Sequence, residues 1–120
     1  MRKLRVIVAG GRDFNDYVLL KTNLDYVLRN RQVDEVVIVS GKARGADSLG
    51  ELYAKERGLE VSAYPADWDT YGKSAGYIRN KQMAETSHAL MAFWDGKSRG
   101  TKHMIDLAKE KGLRVQVVPY

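Results

Sequence analysis

The chain has 120 residues, the size of one ordinary domain and too few for two. Apolar residues make up 44% of it and cysteine is absent, so a continuous core is possible while disulfides, thiolate nucleophiles and zinc–thiolate sites are excluded. A net charge of +5, from 20 Lys and Arg against 15 Asp and Glu, attracts polyanions and small phosphorylated ligands alike.

The positive residues are scattered, as at Arg29, Arg31, Lys109 and Lys111, and form no basic run that would follow a nucleic-acid backbone. The apolar run Val6–Ala9 is too short for a secretory leader, and no stretch approaches the roughly 20 apolar residues of a membrane helix. A soluble cytoplasmic protein with no membrane partner is expected.

In chain order, Leu4–Ala9 reads as the first strand, followed by a helix with Tyr17, Leu20, Leu24, Val27 and Leu28 on one face. Glu35–Val39 is the second strand, and Ala46, Leu49, Leu52 and Tyr53 mark the helix after it. Glu60–Tyr64 is the third strand, and Pro65–Ser74 then reads as a long irregular loop. Ala75, Ile78 and Met83 give a weaker helical pattern before the strand His88–Phe93. Met104, Ile105, Leu107 and Ala108 mark the last helix, which Lys111-Gly112 stops ahead of the strand Arg114–Val118. The runs VIVA, VVIV and ALMAF are nearly unbroken, as befits strands covered on both faces.

This alternation predicts an α/β fold: a single Rossmann-like three-layer domain over residues 1–120, with a five-stranded parallel sheet ordered 3-2-1-4-5. Ligands of such sheets bind at the carboxyl ends of the strands, where the chain reverses between strands 1 and 4.

Three of the loops at that edge are alike. The first holds Gly10, Gly11, Arg12 and Asp13, the second Ser40, Gly41, Arg44, Gly45 and Asp47, and the third Trp94, Asp95, Gly96, Ser98, Arg99, Gly100 and Thr101. Glycines let backbone N–H groups approach a ligand, and each loop carries an arginine and opens a helix whose N-terminus favours an anion. Together they predict a phosphate-binding edge. Neither a dinucleotide G-x-G-x-x-G (Asn15 stands at the third glycine) nor a Walker A sequence is present. Asp13 either caps the first helix or reaches a ligand hydroxyl; Asp47 either caps its helix or accepts from a ribose. Thr101 is explained by N-capping alone or, with Ser98, by phosphate contact. Trp94 and Trp68 either stack on a base or form a hydrophobic lid. His88 reads as a strand-entry residue and His103 as helix surface, and no His, Asp or Glu cluster has metal-ligand spacing.

With VAGGRDF, SGKARGAD, AGYIRNKQM and FWDGKSRGTKHMI in this order, the chain resembles the SLOG superfamily, in its small YspA-like (YpsA-related) branch. The resemblance implies a Rossmann-like nucleotide binder, since the superfamily includes Lonely-Guy phosphoribohydrolases, the DNA-processing protein DprA and sensors of ADP-ribose-type ligands. Arg79, Asn80 and Met83 look like the R-K-x-x-M stretch of the Lonely-Guy enzymes, with Asn in place of Lys. Gly96, Ser98, Gly100 and Thr101 look like part of their P-G-G-x-G-T-x-x-E loop, but Met104 stands where they have Glu.

The expected function is binding of a small nucleotide ligand, ADP-ribose-like or a nucleoside phosphate, as a sensor or sequestering protein. Arg12, Arg44, Arg79 and Arg99 would hold phosphates, loop amides would complete the cradle, and Asp13 and Asp47 would reach ribose hydroxyls. No cofactor, metal or catalytic residue is expected, nucleic acid is not expected as a partner, and a homodimer is. The alternatives are hydrolysis of a nucleotide N-glycosidic or phosphate bond and DprA-like binding of single-stranded nucleic acid.

Overall fold

The computed structural model describes residues 3–120. Five strands form one sheet: β1 (Leu4–Gly10), β2 (Val36–Ser40), β3 (Glu60–Ala63), β4 (Ala89–Trp94) and β5 (Arg114–Pro119). All neighbours are parallel and the order is 3-2-1-4-5. The apolar runs decide that order. Val6 to Ala9, Val36 to Val39 and Leu90 to Phe93 are all buried, so β1, β2 and β4 occupy the centre and the more polar β3 and β5 the edges. Each Val, Leu or Phe buried in this way contributes about 1.5–3 kcal/mol, against at most about 1 for an exposed ion pair.

Helices α1 (Tyr17–Val27) and α2 (Ala46–Arg57) pack on one face, and α4 (Ala75–Thr86) and α5 (Arg99–Glu110) on the other. The strict alternation along β1 sorts the two layers. Val6 and Val8 join Leu20, Leu24 and Tyr53, whereas Ile7 and Ala9 join Met83, Met104 and Ala108.

Local chemistry corrects several expectations. Asp16, not Asp13, caps α1, its carboxylate accepting the N–H of Leu19 at 3.0 Å. The inward position of α2 belongs to Gly50, because Leu52 is 41% exposed; a Cβ on Gly50 would lie 2.8 Å from that of Val8. Pro65–Ser74 is not irregular throughout. It contains the short helix α3 (Trp68–Tyr71), capped by Asp67 on the N–H of Thr70 at 3.1 Å, and a 3-10 turn at Gly72–Ser74. Glu35 belongs to the 3-10 turn before β2, where its carboxylate accepts the N–H of Gln32 at 2.8 Å. Among the described residues, no helix is long and apolar enough to cross a membrane.

Candidate functional site

The carboxyl ends of β1, β2 and β4 open onto a cleft of about 210 Å3. Ala9, Met83 and Met104 give it an apolar floor, and Trp68 and Tyr77 stand in its wall. Arg12, Lys73 and Arg79 supply cations, and Asp47 is the only carboxylate among the described residues that line it. Asn80, Ser98, Gly100 and Thr101 complete the polar side.

Asp47 neither caps α2 nor points freely at a ribose. Gly45 is the N-cap, with φ of +78° and room for no Cβ, which would meet the backbone carbonyl of Gly11. The close approach of these two loops turns Asp47 inward, 5% exposed. Its Oδ2 accepts the N–H of Gly41 at 3.1 Å and of Ala43 at 3.4 Å. Burial pushes its carboxyl up to about 6, against the opposing influence of Arg79 and the two loop amides. Between those amides Lys42 adopts a left-handed conformation, φ +62°, uncommon for a residue with a side chain. Ser40 Oγ accepts its N–H at 3.1 Å and Glu51 holds its ammonium at 2.8 Å.

Arg79 reaches back from α4 to donate to the carbonyl of Gly41 and, through Nε, to Asn80 Oδ1 at 3.0 Å. Burial holds its guanidinium below the ordinary pKa, Asp47 opposes this, and nearby Arg12 adds to it. Asn80 in turn lies 3.1 Å from His103 Nδ1, and Tyr77 packs on the His103 ring with centroids 4.3 Å apart. His103 is therefore a half-buried member of this cluster and not plain helix surface, and burial lowers its pKa.

Carboxylates of the other two loops also have partners within the fold. Asp95 Oδ1 accepts the N–H of Lys97 at 2.8 Å and of Ser98 at 2.9 Å, and the bonds lower its pKa. Ser98 caps α5 on the N–H of Thr101, at 3.4 Å, so Thr101 is a buried residue of the first turn and not the cap. Trp94 Nε1 donates to the carbonyl of Ser98 at 3.1 Å, which closes the β4–α5 loop and leaves Trp94 out of the cleft lining. Asp13 accepts the hydroxyl of Tyr120 at 2.6 Å. The expected amide cradle is thus occupied from within at several positions: Asp47 holds Gly41 and Ala43, and Asp95 holds Lys97 and Ser98.

Of the residues expected at the site, Gly10, Arg12, Asp47, Arg79, Asn80, Ser98, Gly100 and Thr101 meet in the cleft. Gly41 and Arg44 line a pocket beside it. Gly11, Asp13, Ser40, Gly45, Trp94, Asp95, Gly96 and Arg99 line neither. Lys73, Gly76 and Tyr77 were not anticipated, and the GKSAGY stretch that carries them gave only its glycines as a cue. Such a cleft suits an anion with an apolar or aromatic part: guanidinium and ammonium groups share its lining with thioether and methyl groups. Among the described residues, no group of three or more His, Asp or Glu could hold a metal ion.

Comparison with known proteins agrees with the fold. Two DNA processing protein A structures share the fold. That of Streptococcus pneumoniae aligns at TM-score 0.75 and 19% identity, over 99% of this chain and 51% of its own. That of Helicobacter pylori aligns at 0.71 and 21%, over 99% and 66%. The chain thus spans between half and two thirds of those proteins' length. The H. pylori structure is described as revealing a single-stranded DNA binding mode. That finding corrects the expectation that excluded nucleic acid. The expectation rested on the lack of a basic run, yet the fold gathers Arg12, Lys73 and Arg79 from separate segments into one cleft with Trp68 and Tyr77. The gene 61 protein of Mycobacterium phage D29 is 33% identical over 117 residues, 92% of this chain and 93% of that protein. A family model, the YspA, cpYpsA-related SLOG family, matches residues 4–71, and with the strand order and loops described above the chain belongs to that family.

Proposed function

We propose that residues 1–120 act as one nucleotide-binding domain, with a nucleoside phosphate or ADP-ribose-like ligand held in the cleft at the ends of β1, β2 and β4. One observation carries this reading: Arg12, Lys73 and Arg79 line one cleft with Ala9, Met83 and Met104, while its one carboxylate among the described lining residues, Asp47, is bonded to loop amides. The phosphate sits on the guanidinium groups, which bind it through paired charge-assisted hydrogen bonds. The exposed Trp68 ring offers a face for the base. The floor presents Met104, which has no proton to give or take, so the reading is one of binding, suited to sensing or sequestering a nucleotide, and not of N-glycosidic hydrolysis. Native mass spectrometry of protein purified from cells tests it. A retained nucleotide mass, lost from an Arg79→Ala variant, is the expected result; uniformly empty protein that also fails to take up added AMP contradicts it.

A second reading has its own support. Trp68 and Tyr77 are each about half exposed, at 50% and 49%, and line the cleft or the pocket beside it with Arg12, Arg44 and Lys73. Aromatic faces interleaved with cations are what single-stranded nucleic acids stack and track on. Binding of an oligothymidine that weakens steeply with salt supports this reading, and binding indifferent to salt removes it.

A further inference from the structure

A second pocket, of about 240 Å3, adjoins the cleft and shares Arg12, Ala43, Trp68 and Arg79 with it. Its remaining wall comes from the β2–α2 loop, with Lys42 and Arg44, and from Pro65 and Ala66 after β3. Where the cleft has methionines beneath it, this pocket has four cationic side chains and, among the described residues, no carboxylate. Two of the four already have partners within the fold, although Arg79 uses only its Nε and one terminal nitrogen and keeps Nη2 for a ligand. Lys42 is paired with Glu51 at 2.8 Å, and Arg79 donates to the carbonyl of Gly41 and to Asn80. Arg12 and Arg44 are exposed and take part in no ion pair among the described residues. Arg12 moreover stands close enough to Arg79 to disfavour its charge.

Like charges that line one pocket with no carboxylate in its wall carry a repulsion that a ligand anion relieves. A phosphate monoester carries a charge of about −2, which the Arg12 and Arg79 pair at the shared wall answers. Arg44 is then left for another negative group. The cleft itself is also small, at about 210 Å3, below the roughly 300–1,000 Å3 of sites that enclose drug-sized ligands.

We infer that the pocket beside Trp68 is a subsite for a second phosphate of the same ligand, with Arg44 as its dedicated contact. This rests on the reading of the cleft as a nucleotide site. The ligand class is a nucleotide bearing at least two phosphate groups, joined either as a pyrophosphate or as successive phosphodiesters of a strand. Only the shared chemistry, a phosphate one linkage beyond the first, is fixed by the geometry.

Isothermal titration calorimetry on the full chain separates the sources. ADP is compared with AMP, and the 5′-phosphorylated dinucleotide of deoxyadenosine with dAMP. A charge-assisted contact predicts at least about tenfold tighter binding in one of the two pairs. A gain with ADP alone assigns a free nucleotide, and a gain with the dinucleotide alone assigns a strand; either upholds the subsite. In Arg44→Ala that ratio falls toward one, whereas Lys109→Ala, which removes an equal charge from the far end of α5, preserves it. If AMP and dAMP bind but neither pair shows a gain, or if the gain survives in Arg44→Ala, the second-phosphate subsite is wrong and the cleft reading stands. If wild type binds neither AMP nor dAMP, the cleft reading fails and the subsite falls with it.

Discussion

Asp47 Oδ2 accepts the backbone N–H of Gly41 at 3.1 Å, and so takes the place at the β2–α2 loop that an incoming phosphate would otherwise fill. The carboxylate shapes the loop from inside, and in the proposed function the holding of an external anion falls to other side chains of the cleft. That division of labour has a cost with a definite pH dependence.

Burial raises the Asp47 carboxyl from the ordinary 3.8 to about 6. Between those values the folded chain binds a proton that the unfolded chain has released, so stability falls as pH rises through the window. The reference is Asp47→Asn, which cannot titrate. Relative to it, wild type should lose about 2 kcal/mol from roughly pH 4 to roughly pH 7, at no more than about 1.4 kcal/mol for each pH unit. Urea unfolding of both proteins across this range measures the difference. A wild type that gains on the variant with rising pH would mean that Arg79 and the amides outweigh burial.

Asp16 and Asp13 lie in one loop but have different tasks. Asp16→Ala removes the cap of α1 and should cost about 1 kcal/mol. Asp13→Ala leaves that cap intact and loses a bond to the exposed Tyr120, worth a fraction of this. Thermal denaturation ranks the two, and the reverse ranking contradicts the assignment.

Gly50→Ala sets two effects against each other. Alanine favours a helix over glycine by about 1 kcal/mol, but the new methyl would lie 2.8 Å from the Cβ of buried Val8. Overpacking of this kind typically costs about 1–3 kcal/mol. The expected outcome is a net loss of up to about 2 kcal/mol in urea unfolding; a stabilised variant would show that α2 can slide off β1.

The sheet was legible in the sequence because burial on both faces leaves unbroken apolar runs, and VIVA, VVIV and ALMAF could belong only to central strands. The site was legible in part. Arg12, Ser98, Gly100 and Thr101 announced themselves through local composition and Arg79 through the family resemblance, and they meet in the cleft. Arg99 has the same composition around it, yet at the first position of α5 it lies outside the cleft lining. Whether Asp13 or Asp16 caps, or whether Asp47 faces a ligand or its own loop, depends on where neighbouring chain segments lie, and no window of sequence contains that. The same holds for the cations around the cleft, dispersed along the chain and adjacent only in the fold.

Met104 occupies the cleft floor, 1% exposed, on the second turn of α5. General acid–base assistance typically contributes about 10²–10⁴-fold in rate, and a thioether supplies none. Incubation of AMP or ADP-ribose with the protein should release no adenine over multiple turnovers, as followed by chromatography. Sustained adenine release that disappears in Arg79→Ala would establish a hydrolase and overturn the binding-only reading.

The central claim is that the cleft binds a nucleotide through guanidinium groups at its mouth. Calorimetric titration of AMP into wild type, Arg12→Ala and Arg99→Ala tests it most directly, since both arginines are exposed and neither takes part in an ion pair among the described residues. Loss of a charge-assisted contact should weaken Arg12→Ala by about ten- to a hundredfold, while Arg99→Ala binds as wild type does. Equal affinities for wild type and Arg12→Ala, or a loss confined to Arg99→Ala, would contradict it.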